Sequence, residues 1–478
     1  MRNFTIRVIA GLFLFAGAGL AKDSDEGDLQ AQVDKLFAEW NRSDSPGCAL
    51  ALAREGEIIY ARGYGMADLE QGVAITPRTA FYVGSVSKQF TAMAAALLAQ
   101  EGKIGLDDDI RHYVPELPHY GNTITIRHLV HHTSGLRDYL ALMTLSGRSI
   151  ADAATDPEVV DLIARQEEIN FPPGSRFLYS NSGYFLLAEI VKRVTGTSLR
   201  EYAQDKIFRP LGMRHSHFHD RVDHIIPFRA AGHHRTEDGS WGVLRSRFAL
   251  VGSGGLFTTV EDLVKWNENF YHNRLGKGGP ELMELVQRPA RLNSGEELDY
   301  AFGLFIGHYR GLPTVSHGGA LGGYRAHLHR FPEQHFSIAI ECNLNAINPS
   351  DLALKIADIY LADSLGPKAE EDEEQPEMGA PQEDEDDPGH LSESQLEAFA
   401  GRYHSRELGV DYRVERAQDQ LRLRVGHRPP GALRYAGDDV LRTQNNVELH
   451  FQRSEQGEVT GFILQAGRVK DLRFEKRP

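Results

Sequence analysis

Two strand pairs placed far apart in the chain constrain the fold most. Residues 48–65, CALALAREGEIIYARGYG, read as two strands joined at Glu55-Gly56, and residues 327–343, HLHRFPEQHFSIAIECN, read as a second pair. Helical runs fill the stretch between them. Strands at both ends with helices between imply an antiparallel sheet assembled from the two ends of one domain and covered by helices.

That domain is expected over residues 28–365. The 478-residue chain carries a net charge of −15, and residues 366–390 alone hold eleven Asp or Glu against one Lys, a net −10. With Pro and Gly, no aromatics and no periodicity, residues 366–391 read as a disordered acidic linker. The ordered parts are therefore only mildly acidic, and nothing suggests nucleic-acid binding. Beyond the linker, residues 392–478 alternate apolar and polar side chains in short runs, such as Leu421, Leu423, Val425 and Val447, Leu449, Phe451. Turn signals at Gly437-Asp438-Asp439 and Glu455-Gln456-Gly457 separate the runs, as in a small antiparallel β-barrel. At the other end, Arg2 and Arg7, an apolar run from Val8 to Ala16 and the small residues Gly19-Leu20-Ala21 read as a secretory signal peptide over residues 1–21. The apolar run is short for a spanning helix, so the expectation is export to the periplasm or medium without stable membrane insertion.

Ser85-Val86-Ser87-Lys88 opens a helical run in which Phe90, Met93, Ala94, Leu97 and Leu98 recur at helical spacing and Gly102 is the stop. Residues three apart share a helix face, so the Ser85 hydroxyl and the Lys88 amine can touch. The positive end of the helix dipole favours a developing oxyanion and eases proton loss from lysine, as an activated serine nucleophile needs. No Gly-x-Ser-x-Gly elbow is present. Tyr179-Ser180-Asn181 follows the turn Pro172-Pro173-Gly174, with Ser182 as the start of the next helix, and places a phenol and an amide two apart on an extended loop. Ser316-His317-Gly318-Gly319-Ala320 precedes the strand Tyr324 to Phe331; its glycines permit close backbone approach, and its imidazole can hydrogen-bond or carry charge.

These three motifs, in this order, resemble the serine β-lactamase and penicillin-binding-protein superfamily, in the branch of class C β-lactamases, D-aminopeptidases, alkaline D-peptidases and family VIII esterases. The resemblance covers about residues 35–362 and extends through EGKIGLDDDIRHYVPELP, TIRHLVHHTSGL, PLGM and GSGGLFTTVEDLVKW. It implies an α+β fold of the β-lactamase/transpeptidase type: an antiparallel sheet flanked by helices, a helical subdomain, and the site in the cleft between them. It implies that Ser85 is acylated, that Lys88 helps remove its proton, and that Tyr179, as a phenolate favoured by Lys88, is base and then acid. Asn181 would hold a substrate amide, and the third motif would lie on the edge strand, where the Ala320 and Ser85 N–H groups form the oxyanion hole beside His317 and Gly319. The C-terminal barrel resembles domains appended to D-aminopeptidases, which can border the active site; the acidic linker leaves that contact open here.

Typical class C β-lactamases carry Lys-Thr-Gly or Lys-Ser-Gly at the third motif. His317-Gly318-Gly319 replaces a permanent cation by a side chain mostly neutral above a pKa of about 6.5 and omits a hydroxyl, which argues against efficient β-lactam turnover. Arg325 could restore a carboxylate contact, although an exposed strand arginine is the plainer reading. The expected activity is that of an exported serine hydrolase acting through an acyl-enzyme, a D-amino-acid peptidase or an esterase. A β-lactamase or D,D-carboxypeptidase is the alternative, and a silent binding protein of the same fold the second. No cofactor or metal is expected, and the partner is a small-molecule or peptide substrate. His215, His217, His219, Asp220, His233 and His234 read as a polar loop rather than zinc ligands, and His131-His132-Thr133-Ser134-Gly135 as a structural turn. Cys48 and Cys342 each sit in an apolar strand, where free buried cysteine is common; export leaves a disulfide open.

Overall fold

The computed structural model describes residues 18–149, 151–368 and 391–478. The expected leader up to residue 17, and all but the outermost residues of the acidic linker, fall outside these.

The two strand pairs join as the pattern implied. A six-stranded antiparallel sheet runs, edge to edge, through Phe305–Tyr309, Leu312–Leu321, Tyr324–Phe331, Phe336–Cys342, Cys48–Arg54 and Glu57–Tyr64. Cys48–Arg54 pairs with both its hairpin partner and Phe336–Cys342, in the register Leu50↔Ile340 and Leu52↔Ile338. Alternation gives this junction two different faces. Leu50, Leu52, Ile338 and Ile340 pack against Val33, Phe37, Leu352 and Ile356, from the helices Ala18–Leu36 and Pro349–Tyr360 and the turn after the first. On the opposite face Ala49, Ala51, Ala53 and Ala339 belong to the main core, where their small side chains let the helix Val260–Glu268 lie close.

Cys48 and Cys342 are direct cross-strand neighbours and form a disulfide. This decides the pairing that the sequence left open. Each cysteine does lie in a buried apolar strand, but only the pairing of the two strands puts one opposite the other.

Residues 401–477 form a closed eight-stranded barrel in which consecutive strands pair and Arg402↔Arg477 closes the ring. Tyr403, Tyr412, Phe451, Phe462 and Phe474 fill its interior. The contact left open by the linker exists. Arg137, 1% exposed at its side chain, pairs with Glu407 of the barrel at 2.5 Å and donates to the carbonyls of Lys470 and Asp471 at 2.9 and 3.1 Å. Tyr412 donates its hydroxyl to Leu145 O at 2.6 Å. A buried pair of this kind is sensitive to removal of one partner, because the other charge stays buried.

Candidate active site

Ser85 lies in the 3-10 turn Gly84–Val86, immediately before the helix Ser87–Gln100. Gly84 has φ +52°, a conformation that suits glycine, and turns the chain so that Ser85 faces the cleft. The helix is capped by Glu101 and followed by Gly102 at φ +71°. The three-residue spacing does what it implied: Lys88 Nζ lies within hydrogen-bond distance of Ser85 Oγ, at 3.0 Å. It donates to Asn181 Oδ1 at 2.9 Å and Ser253 O at 2.6 Å. Ser253 is held by its Oγ against the Tyr139 hydroxyl at 3.0 Å.

The helix Asn181–Thr195 starts one residue earlier than the sequence suggested, because Ser180, extended at ψ 118°, is the N-cap. Asn181 is engaged at both ends of its amide: Oδ1 by Lys88, and Nδ2 by Asp138 Oδ2 at 2.8 Å. It therefore orients the lysine in this structure instead of presenting a free amide to the cleft. Asp138 also accepts from the Asn181 N–H at 2.7 Å and caps the helix Tyr139–Leu145 through the Ala141 N–H.

The strand Leu312–Leu321 is not an edge strand along its whole length. Phe305–Tyr309 pairs with Leu312–Ser316 and stops there, which leaves His317–Leu321 open toward the cleft on that side. Gly319 lies so close to the nucleophile turn that a Cβ there would stand 1.9 Å from Val83 O and 3.0 Å from Ser85 N; one on Gly84 would stand 2.6 Å from Ala320 N. The Ser85 and Ala320 amides are thus brought side by side, as an oxyanion hole needs. The cleft they border encloses about 650 Å³ and includes Tyr82, Leu140, Phe248 and Phe305.

Burial dominates the electrostatics. Lys88 is fully buried, and desolvation holds its amine well below the ordinary lysine value; Asp138 opposes this and Arg468 adds to it. Desolvation pushes the Tyr179 phenol up, with the Ser85 hydroxyl and Arg468 easing it back. The Tyr179 hydroxyl itself makes no hydrogen bond of normal geometry. His317, 1% exposed, is lowered to about 3, first by burial and then by Lys88. A connected chain fixes its tautomer. Ser180 N–H donates to His132 Nδ1 at 3.1 Å, so His132 Nε2 donates to the Tyr300 hydroxyl at 3.1 Å. Tyr300 then donates to His317 Nε2 at 3.3 Å, and His317 Nδ1 donates to Gly318 O at 2.6 Å. His132 thus holds the Tyr179 loop, with its ring 4.2 Å from that of Tyr179, in keeping with a structural turn.

Arg325 lines the cleft, part-buried, and donates to Tyr324 O at 2.8 Å; it is not the exposed strand arginine of the plainer reading, because the strand end curls its side chain back onto the turn. His217, on the short strand His217–Phe218, has its ring 6.1 Å from that of His219, Arg200 contacts both Asp220 and His224, and His233 contacts Asn343 elsewhere. Among the described residues no three His, Cys, Asp or Glu side chains converge on a metal-binding position.

Sequence reasoning missed Gly84, Asp138, Ser253 and Arg468. Gly84 sits beside the nucleophile and could have been noticed. The other three act through contacts between distant segments and leave no local pattern.

Comparison with known proteins places this site in a family. The Beta-lactamase family model matches residues 31–362. A D-aminopeptidase of Gluconobacter oxydans is 28% identical over 404 residues, covering 84% of this chain and 70% of that enzyme. A D-aminopeptidase of Brucella ovis is 30% identical over 322 residues, 66% of this chain and 60% of the relative. The structure of the octameric penicillin-binding protein homologue from Pyrococcus abyssi superposes with a TM-score of 0.62 at 24% identity, covering 94% of this chain and 99% of that one.

Proposed function

Because the chain belongs to the Beta-lactamase family, we propose that it is an exported serine hydrolase that cleaves amide bonds of D-amino-acid peptides, or small esters, through an acyl-enzyme on Ser85. One observation carries the reading: the Lys88 amine, whose charged form burial disfavours, sits 3.0 Å from Ser85 Oγ. The names of the D-aminopeptidases it resembles support the amide side of the proposal.

In this mechanism Lys88 takes the Ser85 proton as Oγ attacks the carbonyl carbon, and the ammonium so formed is held by Asn181 Oδ1 and Ser253 O. The oxyanion is received by the Ser85 and Ala320 N–H groups. Tyr179, kept as a phenol by burial, delivers its proton to the leaving nitrogen or oxygen and is recharged from Lys88. Lys88 is therefore assigned as base in place of a Tyr179 phenolate. Water then attacks the acyl-enzyme with the same groups in reverse order.

His317 supports selection against β-lactams. It is neutral, buried and bonded to Tyr300 and Gly318 O, so the motif offers no fixed cation for a substrate carboxylate. Export to the periplasm or medium is supported by the leader-like first 21 residues and by a disulfide suited to an oxidising compartment. A panel of D-alanyl p-nitroanilide, p-nitrophenyl butyrate and nitrocefin tests the activity. Turnover of the first two, lost in Ser85→Ala, is expected; nitrocefin as the best substrate would overturn the selectivity, and a signal equal in Ser85→Ala would overturn the catalytic claim.

A further inference from the structure

The barrel does more than rest on the catalytic domain. Gly467-Arg468 forms the tight turn between its strands Val459–Ala466 and Val469–Arg477, and that turn enters the cleft. Its backbone is clamped: Arg468 O accepts from the Asp138 N–H at 3.3 Å and from Asn170 Nδ2 at 3.0 Å, and Asn170 Oδ1 accepts from the Lys470 N–H at 2.9 Å. Arg137 holds the carbonyls of Lys470 and Asp471, two and three residues further on. A turn fixed by this many bonds delivers its side chain to one place. The Arg468 guanidinium lies 3.7 Å from Asp138 Oδ2 and 4.8 Å from the centre of the Tyr179 ring.

Asp138 in turn reaches Lys88 through the Asn181 amide. A carboxylate so placed favours the ammonium form of Lys88, which opposes removal of the Ser85 proton. A cation on the carboxylate offsets that effect. The other groups facing the pair are His132 and His317, neutral through burial, and Tyr184 and Tyr300, kept as phenols. Among the described residues, Asp138 and Arg468 are charged groups that act on both Lys88 and Tyr179.

Resting on the proposed role of Ser85 and Lys88, we infer that Arg468 is a positioning residue through which the barrel offsets Asp138 and keeps Lys88 ready to accept the serine proton. The catalytic domain would then depend on the barrel for its reactivity as well as for its packing.

The test is the pH dependence of Ser85 labelling by a fluorophosphonate in the full chain. Arg468→Gln keeps a polar side chain, though a shorter one, and removes the charge. It is expected to move the midpoint of the acid limb up by about one pH unit, while Arg468→Lys keeps it near the wild-type position. Asp138→Asn, an independent variant should Arg468→Gln not fold, is expected to move the midpoint down. An unmoved midpoint in Arg468→Gln, or a shift of Asp138→Asn in the upward direction, overturns the inference. Failure of the underlying reading looks different: the wild type would then be unlabelled, or labelled equally in Ser85→Ala.

Discussion

Replacing Gly319 by alanine puts a methyl carbon 1.9 Å from Val83 O and 3.0 Å from Ser85 N. Neither is a flexible side-chain tip that can swing away; both belong to the backbone that leads into the nucleophile. To reach ordinary contact the strand and the turn have to part by roughly 1–1.5 Å. The Ser85 and Ala320 amides then no longer converge on one oxygen. Loss of one oxyanion donor costs about 2.7–4 kcal/mol of transition-state stabilisation, or about 10²–10³ in rate. Overpacking costs the fold a further ~1–3 kcal/mol. Gly318→Ala is the matched control, because its methyl meets nothing closer than His327 Nδ1 at 3.5 Å. The assay is the rate of Ser85 labelling by a small fluorophosphonate, with unfolding followed in urea. Gly319→Ala should lose about two orders of magnitude and Gly318→Ala less than about threefold. Equal rates in the two variants would falsify the idea that Gly319 is present for close approach to the nucleophile turn.

Other consequences follow from burial and from the contacts between domains. Lys88→Met should abolish Ser85 labelling yet raise stability at neutral pH, since burying a lysine with a depressed pKa costs the folded state. The sign is set by linkage: below the unfolded lysine pKa the unfolded chain binds the extra proton. The wild-type penalty therefore shrinks as pH rises toward that value, and urea curves at neutral and at alkaline pH should show the Met variant's advantage narrowing. Reduction of Cys48–Cys342, which closes a separation of 294 residues, should cost about 2–5 kcal/mol, read as a lower urea midpoint with reductant; an unchanged midpoint would count against the cross-link. Arg137→Ala should destabilise by about 3–5 kcal/mol because Glu407 stays buried without its partner, and adding Glu407→Ala should cost less than the sum of the single changes. Additive losses would mean that the pair does not couple barrel to hydrolase domain.

The sequence by itself determined everything that rests on local period and spacing. Alternating apolar residues marked the strand pairs and the barrel, and the three-residue step from Ser85 to Lys88 put hydroxyl and amine on one side of a helix start. Tyr179, His317, Gly319 and Ala320 were legible because each belongs to a short motif whose members lie close in the chain. Only the tertiary structure decided what depends on burial or on distant segments meeting. Cys48 faces Cys342 because two strands separated by the whole domain pair in one register. His317 is neutral because the fold surrounds it with aromatic rings, which no neighbour in the sequence announces. Asn181 turns inward because Asp138 and Lys88 arrive from other elements, and Arg468 reaches the cleft only because a second domain docks there. Dihedral preferences and side-chain period act over a few residues, and so can be read along the chain. Desolvation and Coulomb interactions act through space, so their outcome waits on which parts of the chain the fold brings together.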